Sequence, residues 1–131
     1  MKEIKLGTIG SGFIVHAVLN GVQRTQGIRL EAVYSRSEDK GRTLAEEYGC
    51  EKVYTDMNAF LGDSDVNVVY IATPNLLHYD QTRAALLAGK HVVTANKQLV
   101  AEKGSELLEI AREKRVHYLF EASVGGGIPI L

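Results

Sequence analysis

Two glycines near the amino terminus, Gly10 and Gly12, have the spacing of a loop that binds a pyrophosphate. The apolar segment 4–9 precedes them, and an apolar pattern with helical spacing begins directly after them at Phe13 and Ile14. Gly10 permits a tight turn, and Gly12 lets the backbone approach the phosphates without a Cβ in the way. Amides at the start of the helix then point at the phosphates, and the helix dipole adds to the attraction. The pattern predicts a dinucleotide site, with a strand, turn and helix of another α/β protein as the alternative.

The segment after the second predicted strand, Ser35-Arg36-Ser37, decides which nicotinamide dinucleotide fits. An acidic residue at this place binds the 2′-hydroxyl of the adenosine ribose and repels a 2′-phosphate. Here a guanidinium and hydroxyls stand instead, and they bind a phosphate dianion through charge-assisted hydrogen bonds. We therefore expect NADP as the cofactor. NAD is the alternative, because the acidic residues Glu38 and Asp39 are close in the sequence. A solvated Arg36 beside a helix N-cap is the alternative.

A third candidate loop follows the fourth predicted strand. Thr73, Pro74 and Asn75 end that strand, and the proline forces the chain to turn under the expected nicotinamide ribose. Asn75 and His78 then share one face at the start of a helix, because their spacing is that of one helical turn. We expect these residues to contact the cofactor. Taken alone, His78 is equally well explained as an ordinary helix residue.

The composition argues against several other classes of function. The chain has 131 residues, a formal net charge of −1 and no long run of like charges, so we expect no nucleic acid or membrane partner. No apolar stretch approaches the roughly 18 residues that cross a bilayer, and a cytoplasmic location is expected. The single cysteine, Cys50, has no neighbours at metal-ligand spacing, so no metal site is predicted. His16, His91 and His117 have no paired acid or base in the sequence and are interpreted as structural.

The elements that position these loops alternate along the chain. Apolar runs predict strands over 4–9, 28–34, 51–54, 65–72, 91–94 and 116–120, and helical patterns over 13–25, 38–48, 56–61, 76–88 and 102–114. Strands separated by helices require right-handed crossovers and a parallel sheet. We therefore predict a single α/β domain, a doubly wound parallel sheet of Rossmann type with strand order 3-2-1-4-5-6, and a ligand at the carboxyl ends of the strands.

Most of the chain, from residue 1 to about 93, closely resembles the nucleotide-binding domain of the Gfo/Idh/MocA oxidoreductases. The resemblance is carried by IGSGFI (9–14), AVYSR (32–36), YIATPNLLH (70–78) and AGKHV (88–92). It implies that the matching residues wrap NAD(P), and that the whole protein oxidises or reduces sugars, polyols or related carbonyls. In that family a Glu-Lys-Pro triplet, whose lysine reaches the reacting centre, follows the fifth strand; here Thr94-Ala95-Asn96-Lys97 stands in its place.

From about residue 89 to 131 the chain is instead similar to homoserine dehydrogenase. VVTANK (92–97) and FEASVGGGIPI (120–130) carry this second resemblance. It implies that Lys97 is catalytic near the nicotinamide and that Asn96 lies at the cofactor. A lysine there stabilises oxyanion charge or relays a proton, and a solvated lysine after a strand is the alternative. Glu121, Ser123 and the glycines at 125–127 are implied to line the far side of the nicotinamide pocket, or to form a hinge.

Two resemblances that meet near the fifth strand suggest a natural or engineered chimera. Both families have a substrate domain after the nucleotide domain, so we expect residues 1–131 to be a NAD(P)-binding domain without its substrate domain and with little turnover alone. A small-molecule substrate then requires that second domain. The alternatives are a homoserine dehydrogenase-type nucleotide domain and a non-catalytic Rossmann module, and a homodimer is compatible with the sequence.

Overall fold

A computed structural model describes residues 3–10, 12–73, 75–94 and 97–120, with the backbone alone for 75–76, 97–102 and 120. Strands and helices alternate in the described chain: β1 (Ile4–Ile9), α1 (Phe13–Gln23), β2 (Ile28–Tyr34), α2 (Glu38–Glu47), β3 (Lys52–Tyr54), α3 (Met57–Leu61), β4 (Val68–Ile71), α4 (Asn75–Leu87), β5 (His91–Thr94), α5 (Lys97–Lys114) and β6 (Tyr118–Phe120). None of the helices that the structure describes is long and apolar enough to cross a membrane.

The six strands form one parallel sheet in the order β3-β2-β1-β4-β5-β6. This order confirms the predicted doubly wound Rossmann sheet. The order reverses between β1 and β4, which lie side by side although α1 to α3 separate them in the chain. A crevice at the carboxyl ends of these two strands is where such sheets bind ligands.

Two apolar layers hold the helices on the sheet. On one face, α3, α4 and α5 contribute Phe60, Leu86 and Leu107 to a buried cluster with side chains of the strands. On the other face, α1 and α2 contribute Leu19 and Leu44 to a second cluster. Neighbouring residues of a strand point to opposite faces, so a strand covered on both sides is apolar throughout, as the run before residue 72 indicated.

Several predicted boundaries are wrong by a few residues, and local hydrogen bonds explain two of them. β4 begins at Val68 rather than at 65, because the amides of Asp65 and Val66 bond to Asp63 in a turn. β6 begins at Tyr118 rather than at 116, since the amide of Val116 still bonds to a carbonyl of α5. α5 starts at Lys97 rather than at 102, α1 ends at Gln23 rather than at 25, and α2, β3, α3 and α4 differ from prediction by one residue at one end or both.

Candidate functional site

A cleft of about 570 Å³ opens at the carboxyl edge of the sheet, over the ends of β1, β2 and β4. It brings together five residues predicted from the sequence: Gly10, Ser35, Arg36, Ser37 and Thr73. The other five residues that line it were not predicted as site residues, namely Tyr34, Lys40, Ala72, Leu77 and Gln81. Lys40 and Leu77 lie in the first turns of α2 and α4. Their position soon after a predicted loop residue was a signal that they would face the same cleft.

Gly10 and Gly12 leave room for a ligand's phosphates in different ways. Gly10 has φ +110°, and a Cβ there would lie 3.1 Å from the carbonyl oxygen of Ala72, so only glycine fits without strain. Gly12 has φ +124°, and a Cβ there would meet nothing within 4 Å. A side chain at Gly12 would therefore project into the open space beside the loop, where a pyrophosphate needs contact with the backbone.

The first amides of α1 have no side-chain acceptor among the residues that the structure describes. Its N-cap is Gly12, and no side chain of the described residues caps its amides. The first amides of a helix have no partner within the helix, so they stay available to an anion. Phe13 and Ile14, which head this helix, are 73% and 39% exposed. The arrangement fits the pyrophosphate and adjoining groups of a dinucleotide.

Val15 stands where such loops usually have a glycine or alanine, yet it does not obstruct the loop. Its side chain is buried in the cluster under α1, with Leu6 and Val33 of the neighbouring strands. The valine therefore packs into the core rather than toward the cleft. The absence of a third glycine is accommodated by this packing.

Arg36 and Lys40 put two unpaired positive charges at the end of β2. Both side chains are exposed and line the cleft. Neither makes an ion pair or a side-chain hydrogen bond with any residue that the structure describes. Free cations beside a glycine loop attract a phosphate group, and no carboxylate of the described residues lines the cleft to oppose it.

The two serines on either side of Arg36 organise the turn into α2. Ser35 is buried, and its hydroxyl oxygen accepts a hydrogen bond from the amide of Ser37. The hydroxyl oxygen of Ser37 accepts one from the amide of Lys40 at 3.3 Å, which confirms Ser37 as the helix N-cap. Both oxygens accept bonds from the backbone and still carry a proton that a ligand oxygen can accept.

Glu38 and Asp39, the acidic residues that left NAD as an alternative cofactor, do not line the cleft. The carboxylate of Glu38 accepts a hydrogen bond from Nε of Arg42 at 3.1 Å and forms an ion pair with Nη2 of the same guanidinium, also at 3.1 Å. Asp39 lines a neighbouring groove between α1 and α2 with His16 and Glu47. Gly12 and Lys40 also line that groove, and Lys40 is shared with the cleft. Neither acid lines the cleft at the end of β2.

Thr73 is held by two side chains of α4. Its hydroxyl donates a hydrogen bond to the side-chain oxygen of Gln81, and its carbonyl oxygen lies 3.1 Å from Nδ1 of His78. Nε2 of His78 bonds to the hydroxyl of Thr94 at the end of β5. The imidazole is buried, which lowers its pKa, although the bond to Thr73 acts in the opposite direction. Both ring nitrogens have protein partners, which argues against the predicted direct contact between His78 and a ribose.

Several predicted site residues lie outside what the structure describes. Pro74, Asn96 and residues 121–131 are not among the described residues, so the expected contacts of Glu121, Ser123 and the glycines stay predictions. Asn75 and Lys97 are described by their backbone, where they begin α4 and α5. Their predicted contacts with cofactor and substrate also stay predictions.

The other histidines, which were interpreted as structural, have partners in the fold, and for His16 one of them is an acid that the sequence interpretation did not identify. Nδ1 of His16 lies 3.0 Å from the hydroxyl of Tyr48 and 3.6 Å from the carboxylate of Glu47, so it ties α1 to α2. His91 and His117 stack with ring centroids 5.3 Å apart. Among the described residues no group of three or more His, Cys, Asp or Glu side chains is placed to hold a metal ion.

Comparison with known proteins gives relatives that are named as reductases or dehydrogenases. A 3-reductase of dTDP-3,4-didehydro-2,6-dideoxy-α-D-glucose from Streptomyces violaceoruber is 44% identical over 92% of this chain and 36% of its own length. Homoserine dehydrogenase from Synechocystis sp. is 34% identical over 98% of this chain and 31% of its own length. A 3-ketoreductase from Actinomadura kijaniata, crystallised with NADP and TDP-benzene, superposes with a TM-score of 0.84 at 26% identity, covering 91% of this chain and 37% of that protein.

These matches bear on the predicted junction near residue 93. The chain spans about a third of the length of these relatives. The homoserine dehydrogenase match covers 98% of the chain, so it is not limited to the last third. The chimera therefore stays a hypothesis without a boundary in these matches to support it. The sequence model of the Gfo/Idh/MocA oxidoreductase family, described as an NAD-binding Rossmann fold, matches residues 4–121, and the chain belongs to that family.

Proposed function

We propose that the chain binds NADP in the cleft at the carboxyl ends of β1, β2 and β4, as the nucleotide-binding part of an oxidoreductase. The observation that carries this proposal is the pair of unpaired cations, Arg36 and Lys40, in the same cleft as Gly10. NAD and NADP differ in one phosphate on the adenosine ribose, and this end of the cleft is where that ribose is expected.

The charge distribution supports NADP over NAD. A phosphate dianion between two free cations gains charge-assisted hydrogen bonds, whereas NAD offers them a neutral hydroxyl. Glu38, the acid nearest in sequence, is bonded to Arg42. The serine hydroxyls at 35 and 37 add donors at the same turn, as the sequence predicted.

The proposed reaction is hydride transfer between the nicotinamide and a sugar- or polyol-like carbonyl or alcohol. Two of the relatives are named as a sugar 3-reductase and a 3-ketoreductase, which favours a keto-sugar as substrate. Lys97, at the start of α5, is the proposed catalytic residue, which stabilises the oxyanion or relays a proton. Substrate positioning requires protein beyond the nucleotide domain.

A second candidate is the nucleotide domain of a homoserine dehydrogenase. It is favoured by the match over 98% of the chain and by the Thr-Ala-Asn-Lys segment at 94–97. Both candidates share the cofactor cleft and differ in the carbonyl that is reduced. The third alternative is a Rossmann module without catalysis. A cytoplasmic location and a homodimer stay predictions.

The experiment is a titration of the purified chain with NADPH and NADH, followed by nicotinamide fluorescence. Arg36→Asp should raise the Kd for NADPH about a hundredfold and leave that for NADH within about threefold, because it replaces a phosphate ligand by a like charge. Arg112→Asp, an exposed arginine on α5, is the matched control and should change neither Kd. Equal losses for both nucleotides would contradict the role of Arg36, and no saturable binding would contradict the whole proposal.

Substrate class is tested separately. NADPH oxidation should be followed with keto-sugars and with aspartate semialdehyde, the oxidation product of homoserine, and NADP reduction with polyols and with homoserine. Turnover of a keto-sugar or polyol supports the first candidate, and turnover of the homoserine pair supports the second. NADPH binding without any turnover is expected if the chain acts as a nucleotide domain that needs a partner domain. Nucleotide binding that survives Lys97→Met, together with loss of any turnover, supports the catalytic role of Lys97.

A further inference from the structure

A buried histidine joins the carboxyl ends of two neighbouring strands. His78 lies in the first turns of α4 and is 2% exposed. One ring nitrogen bonds to the carbonyl of Thr73, just after β4, and the other bonds to the hydroxyl of Thr94, the last residue of β5. The two strands are paired at this level, with Ile71 opposite Thr94.

The partners determine where the imidazole proton lies. A carbonyl oxygen only accepts hydrogen bonds, so Nδ1 of His78 carries the proton and donates it to Thr73. Nε2 is then an acceptor, and the hydroxyl of Thr94 donates to it. Burial lowers the pKa of this imidazole and favours the neutral ring that both bonds require.

The two residues that His78 joins lie at the carboxyl ends of different strands, Thr73 just after β4 and Thr94 at the end of β5. Thr73 lines the cofactor cleft, and its hydroxyl is also bonded to Gln81. Thr94 directly precedes Ala95, Asn96 and Lys97 in the sequence. The adenosine half of the cofactor is expected at the β1–β3 half of the sheet, beside Arg36, so the nicotinamide half belongs to the half that contains β4 and β5.

We propose that His78 is a positioning residue, which fixes Thr73 and Thr94 relative to each other at the carboxyl ends of β4 and β5, on the side of the cleft where the nicotinamide is expected. This inference rests on the proposed function. It goes beyond that function because it assigns to α4 a role in orienting the reactive end of the cofactor. A histidine that merely fills the core would stabilise the fold and affect both halves of the cofactor alike.

The test compares NADPH with adenosine 2′,5′-bisphosphate, which lacks the pyrophosphate link and the nicotinamide. His78→Leu should raise the Kd for NADPH about tenfold and leave that for the bisphosphate within about twofold, since it removes both bonds at the nicotinamide side only. His78→Asn, whose amide can still donate to Thr73, should recover part of the loss. Equal weakening of both ligands, or no change for NADPH, would overturn the inference.

A measurement on the unaltered protein covers the case in which these variants do not fold. Nitrogen-15 spectra of the histidine rings should show His78 as the neutral Nδ1–H tautomer, and its ring signals should shift on addition of NADPH but not of the bisphosphate. The same shift with both ligands, or with neither, would contradict the inference. If the wild-type chain binds neither ligand, the proposed function itself fails, which is a different result from selective loss in the variants.

Discussion

The sheet has an amino edge, where its parallel strands begin, and a carboxyl edge, where they end. Positive side chains at the two edges differ in whether they have partners within the protein. At the amino edge Lys5, Arg29, Lys52 and Lys90 all have oxygen partners, and Lys52 alone lies within 3.1 Å of the carboxylates of Glu31, Asp63 and Asp65. At the carboxyl edge Arg36 and Lys40 have no ionic partner among the described residues.

Asp63 shows how fully the amino edge is bonded. Its carboxylate accepts hydrogen bonds from the hydroxyl of Tyr54 at 2.7 Å, from Lys52 at 3.1 Å and from the amide of Asp65 at 2.9 Å. Burial alone would raise the pKa of this carboxyl, but these bonds outweigh burial and hold the pKa below its usual value. The buried ammonium of Lys90 donates to the carbonyl oxygens of Asp63 and Val66.

This difference in pairing indicates that the charges at the amino edge serve the stability of the fold, whereas Arg36 and Lys40 at the carboxyl edge serve ligand binding. Charges at the amino edge are satisfied within the protein, so changing them should affect folding and leave the cleft intact. Arg36 and Lys40 at the carboxyl edge contribute little to the fold because they touch no opposite charge among the described residues, and they remain available to a ligand. Each of the following predictions would weaken or sharpen this separation.

The largest effect is expected at Asp63. Asp63→Ala should lower the free energy of unfolding by about 2–4 kcal/mol, because it removes three hydrogen bonds to a carboxylate and leaves Lys52 and Tyr54 short of a partner. Denaturant unfolding measures this loss, and Asp80→Ala, an exposed residue of α4, is the control. NADPH affinity of the folded variant should not change. A large loss of affinity would show that the two edges are coupled.

Lys40 provides the opposite case. Lys40→Gln should raise the Kd for NADPH about tenfold, equivalent to ~1.4 kcal/mol, and leave NADH binding and the unfolding midpoint unchanged. The effect should shrink at high ionic strength because it is a charge effect at an exposed site. Lys114→Gln, at the far end of α5, serves as the control. A fall in stability without a change in NADPH binding would remove Lys40 from the site.

Two groups, His78 at the carboxyl edge and Asp63 at the amino edge, should lose their contributions to stability at different pH. His78 has a pKa below its ordinary value of 6.5, so the unfolded chain binds its proton more tightly. Stability is therefore complete above about pH 6.5 and declines as the pH falls. Asp63 has a pKa below 3.8, so its contribution is present above that pH and is lost in more acidic solution.

Denaturant unfolding at intervals of pH separates the two windows. His78→Leu should reduce the slope of the free energy of unfolding against pH in the upper window, below about pH 6.5, and leave the lower window unchanged. Asp63→Asn should reduce the slope in the lower window, below pH 3.8, and leave the upper window unchanged. His91, whose pKa is lowered by burial and by the neighbouring His117, titrates in the upper window too, so part of that slope should survive in the His78 variant. An unaltered upper slope in His78→Leu would contradict the neutral, buried state of this ring.

The sequence predicted the fold and the presence of a cleft at the ends of β1, β2 and β4 because both depend on local patterns. Glycines at 10 and 12 between a strand and a helix, and strands separated by helices, are sufficient to infer a crevice beside β1. The place of Arg36 in the cleft also followed from its position after β2. The N-cap at Ser37 was predicted from residue type alone.

What the sequence did not reveal depends on spacing across the fold. The bond between His78 and Thr94 joins residues of different elements, and only the pairing of β4 with β5 brings them together. The role of Lys52 has the same origin, since its acids come from β2 and from the turn before β4. The pair of Glu38 and Arg42 differs, because its spacing of four residues in a helix was visible in the sequence.

The smallest effect is predicted for the Glu38–Arg42 pair. It tests whether Arg42, by binding the carboxylate of Glu38, keeps that negative charge away from Arg36 and Lys40. Arg42→Gln should release the carboxylate of Glu38, which then opposes a phosphate at the end of β2 and raises the Kd for NADPH about twofold. Stability should fall by at most about 0.5 kcal/mol, the contribution of an exposed helical pair. Glu38→Gln combined with Arg42→Gln should restore the original Kd, because the repelling charge is gone. If Arg42→Gln weakened NADPH tenfold and the double variant did not recover, Arg42 itself would be a phosphate ligand, and the cation pair at this edge would have to be extended to three.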